Sequence, residues 1–381
     1  MNNEVLIYLD NNSTTLIDER IFDEMIPFLK NLYGNASSTH SLGLNSKKAI
    51  DNAKTQIAQL INAESNEITL TSGATESINL ALKGLALNSN NSKKHILTVK
   101  TEHNAVLETC KYLETVGFEV EYLDVDKEGL VNLEQIKKAL RKDTLLVCIM
   151  WVNNETGVIQ PIQEISKILR NSGVFFMSDA TQAVGKIPID LFELEIDLLC
   201  FSAHKFYGPK GIGALYINAK KIKINQISPL QHGGGHENGL RSGTLNVPAI
   251  VGFGKACDIA ISEMEINKKN IGSLKVDLED KLLQIDGAFI NGSKDNQLYN
   301  TINICLPNFD ANKFIGMHQN IAVSNGSACA AAIFEPSHVL ISMGLTNDEA
   351  LGSLRISLGK YNTLNEIDKF LEIIKTTTNN A

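Results

Sequence analysis

What this sequence lacks narrows it first. Basic residues are not in excess: 35 Lys and Arg stand against 43 Asp and Glu, a formal net charge of −8. A phosphate backbone therefore meets no broad positive surface, and direct nucleic-acid binding is not expected. The chain opens Met1-Asn2-Asn3-Glu4 with no basic region leading into an apolar run, and no apolar window reaches membrane-spanning length free of charge. No membrane association is expected, and the expected location is the cytoplasm. The six cysteines, Cys110, Cys148, Cys200, Cys257, Cys305 and Cys329, include no CxxC pair, which argues against a disulfide framework and against a zinc site. No metal is expected, and most of these thiols read as small, reduced, buried residues. Internal repeats are missing too, and the one low-complexity piece is the polar tail Thr376 to Ala381.

What is present is an ordinary globular composition, 43% hydrophobic and 20% charged over 381 residues. That length exceeds one compact core, so two domains are expected. From Glu67 to Leu215, apolar runs of strand length alternate with amphipathic stretches, the pattern of a mostly parallel sheet covered by helices. The strand candidates are Ile68 to Leu70, Ile96 to Val99, Leu145 to Ile149, Val174 to Met177, Leu198 to Phe201 and Ala214 to Ile217. Helical spacing appears at Ile50, Ala53, Ile57, Leu60 and Ile61, at Leu133, Ile136 and Leu140, and at Ile162, Ile165 and Leu169. After about Pro248 the pattern changes to a long charged helix through Glu263, Lys268 and Glu279, followed by short strands such as Thr301 to Leu306. The expectation is an α/β fold with a large domain over residues 15–250. Residues 1–14 and 251–381 then form a smaller α+β domain, which carries Cys329.

Ligands of open α/β sheets sit beyond the carboxyl ends of the strands, so the residues after each apolar run matter most. After Ile68 to Leu70 comes Thr71-Ser72-Gly73-Ala74-Thr75-Glu76, which reads either as a capping box or as a phosphate cradle at a helix start. After Val174 to Met177 comes Ser178-Asp179, and after Leu198 to Phe201 comes Ser202-Ala203-His204-Lys205. A carboxylate and a lysine at neighbouring strand ends form a surface salt bridge in many proteins. They also suit a Schiff-base lysine with a carboxylate that keeps a pyridine nitrogen protonated. His103, after Ile96 to Val99, is a structural histidine or a base beside a planar cofactor. Near the C-terminus, Cys329 lies in Ser324-Asn325-Gly326-Ser327-Ala328-Cys329-Ala330. That run is either an inert packed turn or a loop carrying a nucleophile, a choice that depends on thiol exposure and proton affinity.

Taken together these segments resemble the NifS/IscS-type cysteine desulfurases, within the fold-type I (aminotransferase class V) enzymes that use pyridoxal 5′-phosphate (PLP). The resemblance covers nearly the whole chain. It rests on Tyr8-Leu9-Asp10-Asn11-Asn12-Ser13-Thr14-Thr15, Ser72-Gly73-Ala74-Thr75-Glu76-Ser77, Thr101-Glu102-His103, Val152-Asn153-Asn154-Glu155-Thr156-Gly157 and Asp179-Ala180-Thr181-Gln182. It continues through His204-Lys205, Gly233-Gly234-Gly235-His236-Glu237, Arg241-Ser242-Gly243-Thr244, Gly326-Ser327-Ala328-Cys329 and Leu354-Arg355-Ile356-Ser357-Leu358-Gly359. The resemblance implies that Lys205 holds PLP and that Asp179 pairs with its ring nitrogen. His103 would stack on the ring as acid and base, with Asn154 and Gln182 on the ring-hydroxyl side. Ala74, Thr75, Ser202 and His204 would hold the phosphate, joined by Thr244 from a neighbouring subunit, which implies a homodimer. Asn35, Asn154 and Arg355 would bind L-cysteine, whose sulfur passes to Cys329 and then to an acceptor protein.

Three features depart from the iron–sulfur assembly branch: Ala203 in place of Gly, Trp151 in place of His, and a chain that ends soon after the helix expected at Glu366 to Lys375. They leave the acceptor open among an iron–sulfur scaffold, a tRNA-thiolation relay and the DndA-like DNA phosphorothioation machinery. The alternatives within and outside enzymes are a selenocysteine lyase or other class V member, and a catalytically silent scaffold.

Overall fold

The computed structural model describes residues 6–88, 92–326 and 335–379, so Cys329 lies outside the described residues. The strands are β1 (Ile7–Tyr8), β2 (Ile68–Thr71), β3 (His95–Val99), β4 (Glu119–Leu123), β5 (Thr144–Cys148) and β6 (Phe175–Asp179). They continue as β7 (Leu198–Ser202), β8 (Gly213–Ile217), β9 (Phe289–Ile290), β10 (Thr301–Cys305), β11 (Ile321–Ala322) and β12 (Ser353–Ser357). The six apolar runs of the sequence all become strands of one sheet with the order β2-β8-β7-β6-β5-β3-β4. Only β8 runs against the others. Strands β2, β3, β5, β7 and β8 are buried at every position, as a sheet covered on both faces requires.

Alternate residues along each strand serve two cores. On one face Ile96, Cys148, Met177 and Cys200 pack with Ile78 and Leu85 of the helix Ala74–Ala86 and with Val106 and Leu113 of the helix Asn104–Thr115. On the other, Leu97, Val147, Phe176 and Phe201 pack with the helices Ser41–Leu60 and Ile162–Leu169. Strand β4 was not legible as a strand. Its Glu119-Val120-Glu121-Tyr122-Leu123 is half solvated at the sheet edge, so it offers no apolar run.

A third core lies around the antiparallel sheet β12-β10-β9, where Ile302, Ile304, Leu354 and Ile356 meet Ile367, Phe370 and Ile374 of the C-terminal helix Leu364–Asn379. The helix Val247–Leu282, 36 residues long, joins the two bodies: residues up to Met264 pack into the core of the large sheet, while Ile271, Leu278 and Leu282 pack into the third. The short β1 pairs with β11 and Asp10 bridges Ser357, so the N-terminal segment passes between the two bodies. Ala203 is fully buried, and Gly208 lies against it where any β-carbon would meet the Ala203 methyl at 2.8 Å. Cys110, Cys148, Cys200, Cys257 and Cys305 are buried free thiols. Burial pushes those of Cys148, Cys200 and Cys257 well above the ordinary range, which makes them inert. No described helix is long and apolar enough to cross a membrane.

Candidate active site

The parallel strands deliver their carboxyl ends to one edge of the large sheet. Strand β7 ends on Ser202 and tightens into the short turn Ala203–Lys205; β6 ends on Asp179. Strand β3 runs through Thr101 and Glu102 to His103, and β2 through Ser72 and Gly73 into the helix Ala74–Ala86. Four stretches far apart in sequence are therefore neighbours because strand order makes them so.

Lys205 donates from Nζ to the carbonyls of Asn12 at 2.8 Å and Ser13 at 2.7 Å. Burial, reinforced by the positive charge of Arg355, lowers its amine to about 8 against the opposing pull of Asp179 and Asp10. Asp179 is buried, with Oδ1 accepting from the Thr181 amide at 2.9 Å. His103 caps the helix Asn104–Thr115: its Nδ1 accepts from the Ala105 amide at 3.0 Å, so the proton of the neutral ring sits on Nε2. Burial of the group lowers its proton affinity further, with Lys205 and His338 adding to this and Asp179 opposing it. The residue is nonetheless solvent-exposed. Behind it Glu102 is completely buried, accepting from the Met150 amide at 2.5 Å while Oε2 has no partner among the described residues. Burial first, and then the charge of Asp179, raise its pKa well above the ordinary carboxylate value.

The segment after β2 leads directly into the helix Ala74–Ala86. Gly73 caps the helix without a side chain, so the box reading fails: Glu76 accepts from the Ser72 amide and pairs with Arg241 at 2.9 Å. The Ala74 amide donates to Ser202 Oγ at 2.6 Å, leaving the Ser202 proton to point elsewhere. The Thr75 and Glu76 amides lie in the first turn, where no helical carbonyl is available to them. A β-carbon on Gly213 would come within 2.6 Å of the Gly73 Cα, so this close approach requires glycine at 213. His204 meets Thr14 Oγ1 through Nδ1 at 3.1 Å, and burial together with Lys205 lowers it to about 4.

The third wall comes from the other body. Arg355, in the middle of β12 and 6% exposed, donates to Asp10 Oδ1 at 2.6 Å and to the Asn154 carbonyl at 3.1 Å, while its buried Nε has no partner among the described residues. Ser324 bridges Arg355 through both backbone groups, so the chain heading toward Cys329 leaves from a segment paired to the Arg355 main chain. Two residues on, Gly326 lies against the Glu155 carboxylate, and Ser337, just past the undescribed stretch, donates to that same carboxylate at 2.5 Å. Burial raises Glu155 to about 7 against the opposing effects of Ser337 and Arg355.

Gln182 lies in the same wall as Asn12, its Nε2 donating to the Asn12 carbonyl at 2.8 Å and its Oε1 accepting from Lys186 at 2.5 Å. Two expected residues are not drawn in. Asn35 sits in an exposed turn, accepting from the Ser37 amide at 3.0 Å, with no hydrogen bond to Arg355 among the described residues. Thr244 is exposed, with no contact to the cradle within this chain among the described residues. The residues that sequence reasoning did not single out are Asp10, Asn12, Glu102, Glu155 and Lys186. The first four stand inside quoted motifs, and Lys186 lies four residues past Gln182 in the same run of turns.

Residues 7–370 match the model of the family described as aminotransferase class-V. A protein of Rickettsia bellii named cysteine desulfurase IscS is 45% identical over 382 residues, covering 100% of this chain and 93% of that protein. A solved NifS-like protein superposes with a TM-score of 0.92 at 41% identity, covering 99% of this chain and 100% of the other. A structure titled SspA in complex with cysteine superposes at 0.83 with 37% identity, covering 93% of this chain and 99% of that one.

Proposed function

Because the chain belongs to the aminotransferase class-V family and is a cysteine desulfurase, we propose that its carboxyl-edge site works with PLP and divides the labour as follows. The fit of that cofactor rests on the donor set. A phosphate would lie on the first-turn amides after Gly73 with the Ser202 hydroxyl. A ring nitrogen would face Asp179, whose buried carboxylate keeps one oxygen beyond the Thr181 bond. When bound, PLP supplies an electron sink for the Cα–H bond of substrate cysteine.

Lys205 is the amine that captures the cofactor and afterwards accepts and returns the Cα proton, and burial holds it near neutrality for both tasks. His103 presents a neutral ring with its Nε2 proton fixed by the Ala105 bond, suited to stacking and to donating that proton. Asp10 and the Asn154 carbonyl orient Arg355, whose remaining hydrogens take the carboxylate of cysteine. Cys329, as thiolate, attacks the sulfur of cysteine; the Cβ–S bond breaks, alanine leaves after protonation, and the sulfur stays as a persulfide for an acceptor protein. A homodimer would bring Thr244 to the phosphate of the neighbouring cradle, in keeping with its exposure here. The observation that carries this reading is the departure of the Cys329 segment from Ser324, paired to the buried Arg355, across from Lys205 and Asp179.

The test loads the protein with sulfur-labelled cysteine. Wild type retains label as a persulfide and yields alanine, whereas Cys329→Ala retains none and releases no sulfide under reductant. Sulfide release by Cys329→Ala at the wild-type rate overturns the persulfide step. A pull-down after loading then identifies the acceptor by the label it receives.

A further inference from the structure

We propose that Lys186 is a positioning residue for the reaction: its ammonium fixes the Gln182 amide and places a positive charge behind the ring-hydroxyl side of the site. This rests on the reading of Lys205 and Gln182 given above. Lys186 is 6% exposed, and its Nζ donates to Gln182 Oε1 at 2.5 Å and toward Asn12 Oδ1 at 3.5 Å. No ion pair reaches it among the described residues.

A buried ammonium with only amide oxygens around it is costly, and a methionine of similar length would fill the same space without that cost. The groups that face it make the cost larger. Lys205 and Arg355 oppose its charge, His204 feels it, and the phenols of Tyr207 and Tyr299 line the same small cavity. Burial and those two cations lower the amine to about 7.

What the charge achieves follows from its partners. The Asn12 carbonyl can only accept, so Gln182 turns its N–H2 toward it and presents Oε1 to Lys186, whose Nζ donates there. That carbonyl is also where Lys205 rests. Lys186, Gln182, Asn12 and Lys205 thus form one hydrogen-bonded line, and the second amide hydrogen of Gln182 is left to face a ring oxygen. When Lys186 is protonated, its charge at the far end of that line favours the oxygen as an anion and disfavours a proton on the Lys205 nitrogen.

The experiment is a pH titration of the visible band of the PLP-loaded enzyme. The midpoint at which the Lys205 linkage loses its proton is expected to rise by about one pH unit in Lys186→Met. Lys186→Gln, which keeps a hydrogen bond but no charge, is expected to move it as far, and carries the test if methionine is not tolerated. In a Gln182→Leu background the Lys186 substitution adds less than it does alone, because one line connects them. A midpoint unchanged in both folded, PLP-loaded Lys186 variants overturns the proposal. A wild-type enzyme with no band dependent on Lys205 overturns instead the reading on which it rests.

Discussion

A lysine that must capture an aldehyde needs its amine neutral, and burial supplies this at Lys205. With its pKa lowered to about 8, roughly a quarter of the amine is neutral at pH 7.5. An ordinary lysine at about 10.4 has roughly one part in 800. The site thus gains about 200-fold in reactive amine from desolvation and Arg355, less the opposing pull of Asp179 and Asp10. The perturbation is pH, applied to cofactor-free enzyme. Pyridoxal phosphate is added, the adduct is reduced with borohydride at timed intervals, and peptide mapping separates Lys205 from Lys186. The capture rate at Lys205 should rise tenfold per pH unit up to about 7.5 and level off above 8.5. Asp179→Asn should move the inflection down and Arg355→Met should move it up, since these charges act in opposite directions. A rate that climbs without inflection through pH 10 refutes the argument, because the amine would then be solvated like any surface lysine.

Arg355→Lys replaces a fork already held by Asp10 and the Asn154 carbonyl with a single ammonium; steady-state kinetics should show KM for cysteine up by about 10- to 100-fold with a smaller loss in kcat. An unchanged KM would remove Arg355 from substrate binding. Glu155 is raised to about 7 by burial, so the folded protein binds a proton there that the unfolded chain releases near pH 4.3. Its contribution to stability is full below pH 4.3 and falls as pH rises through 7, by up to about 4 kcal/mol. Urea unfolding of Glu155→Gln should therefore lose less stability than wild type between pH 5 and 8, and parallel profiles would show that the carboxyl does not titrate in the fold.

The sequence by itself determined the layered α/β architecture, since a strand buried on both faces must be an apolar run, and each of the six runs became one. It also marked Gly73, His103, Asp179 and Lys205, because a ligand-facing residue of such a sheet has to follow its strand directly. Tertiary structure decided what depends on neighbours brought together by strand order and by the second body. Glu102 and Glu155 read as solvated acids in a motif, yet complete burial raises the proton affinity of the first well above the ordinary value and brings the second to about 7. Lys186 carries no signal beyond its spacing from Gln182, and only the packing shows that it is enclosed and tied, through Gln182, to the same backbone carbonyl as Lys205. Arg355 was expected to take a carboxylate from outside; that Asp10 holds one arm of it in advance follows from the N-terminal segment bridging β12, a pairing of residues 345 apart. Asn35 and Thr244 show the same limit from the other side, because a motif fixes a residue's identity, while its distance from the site depends on how its turn packs and on which chain it faces.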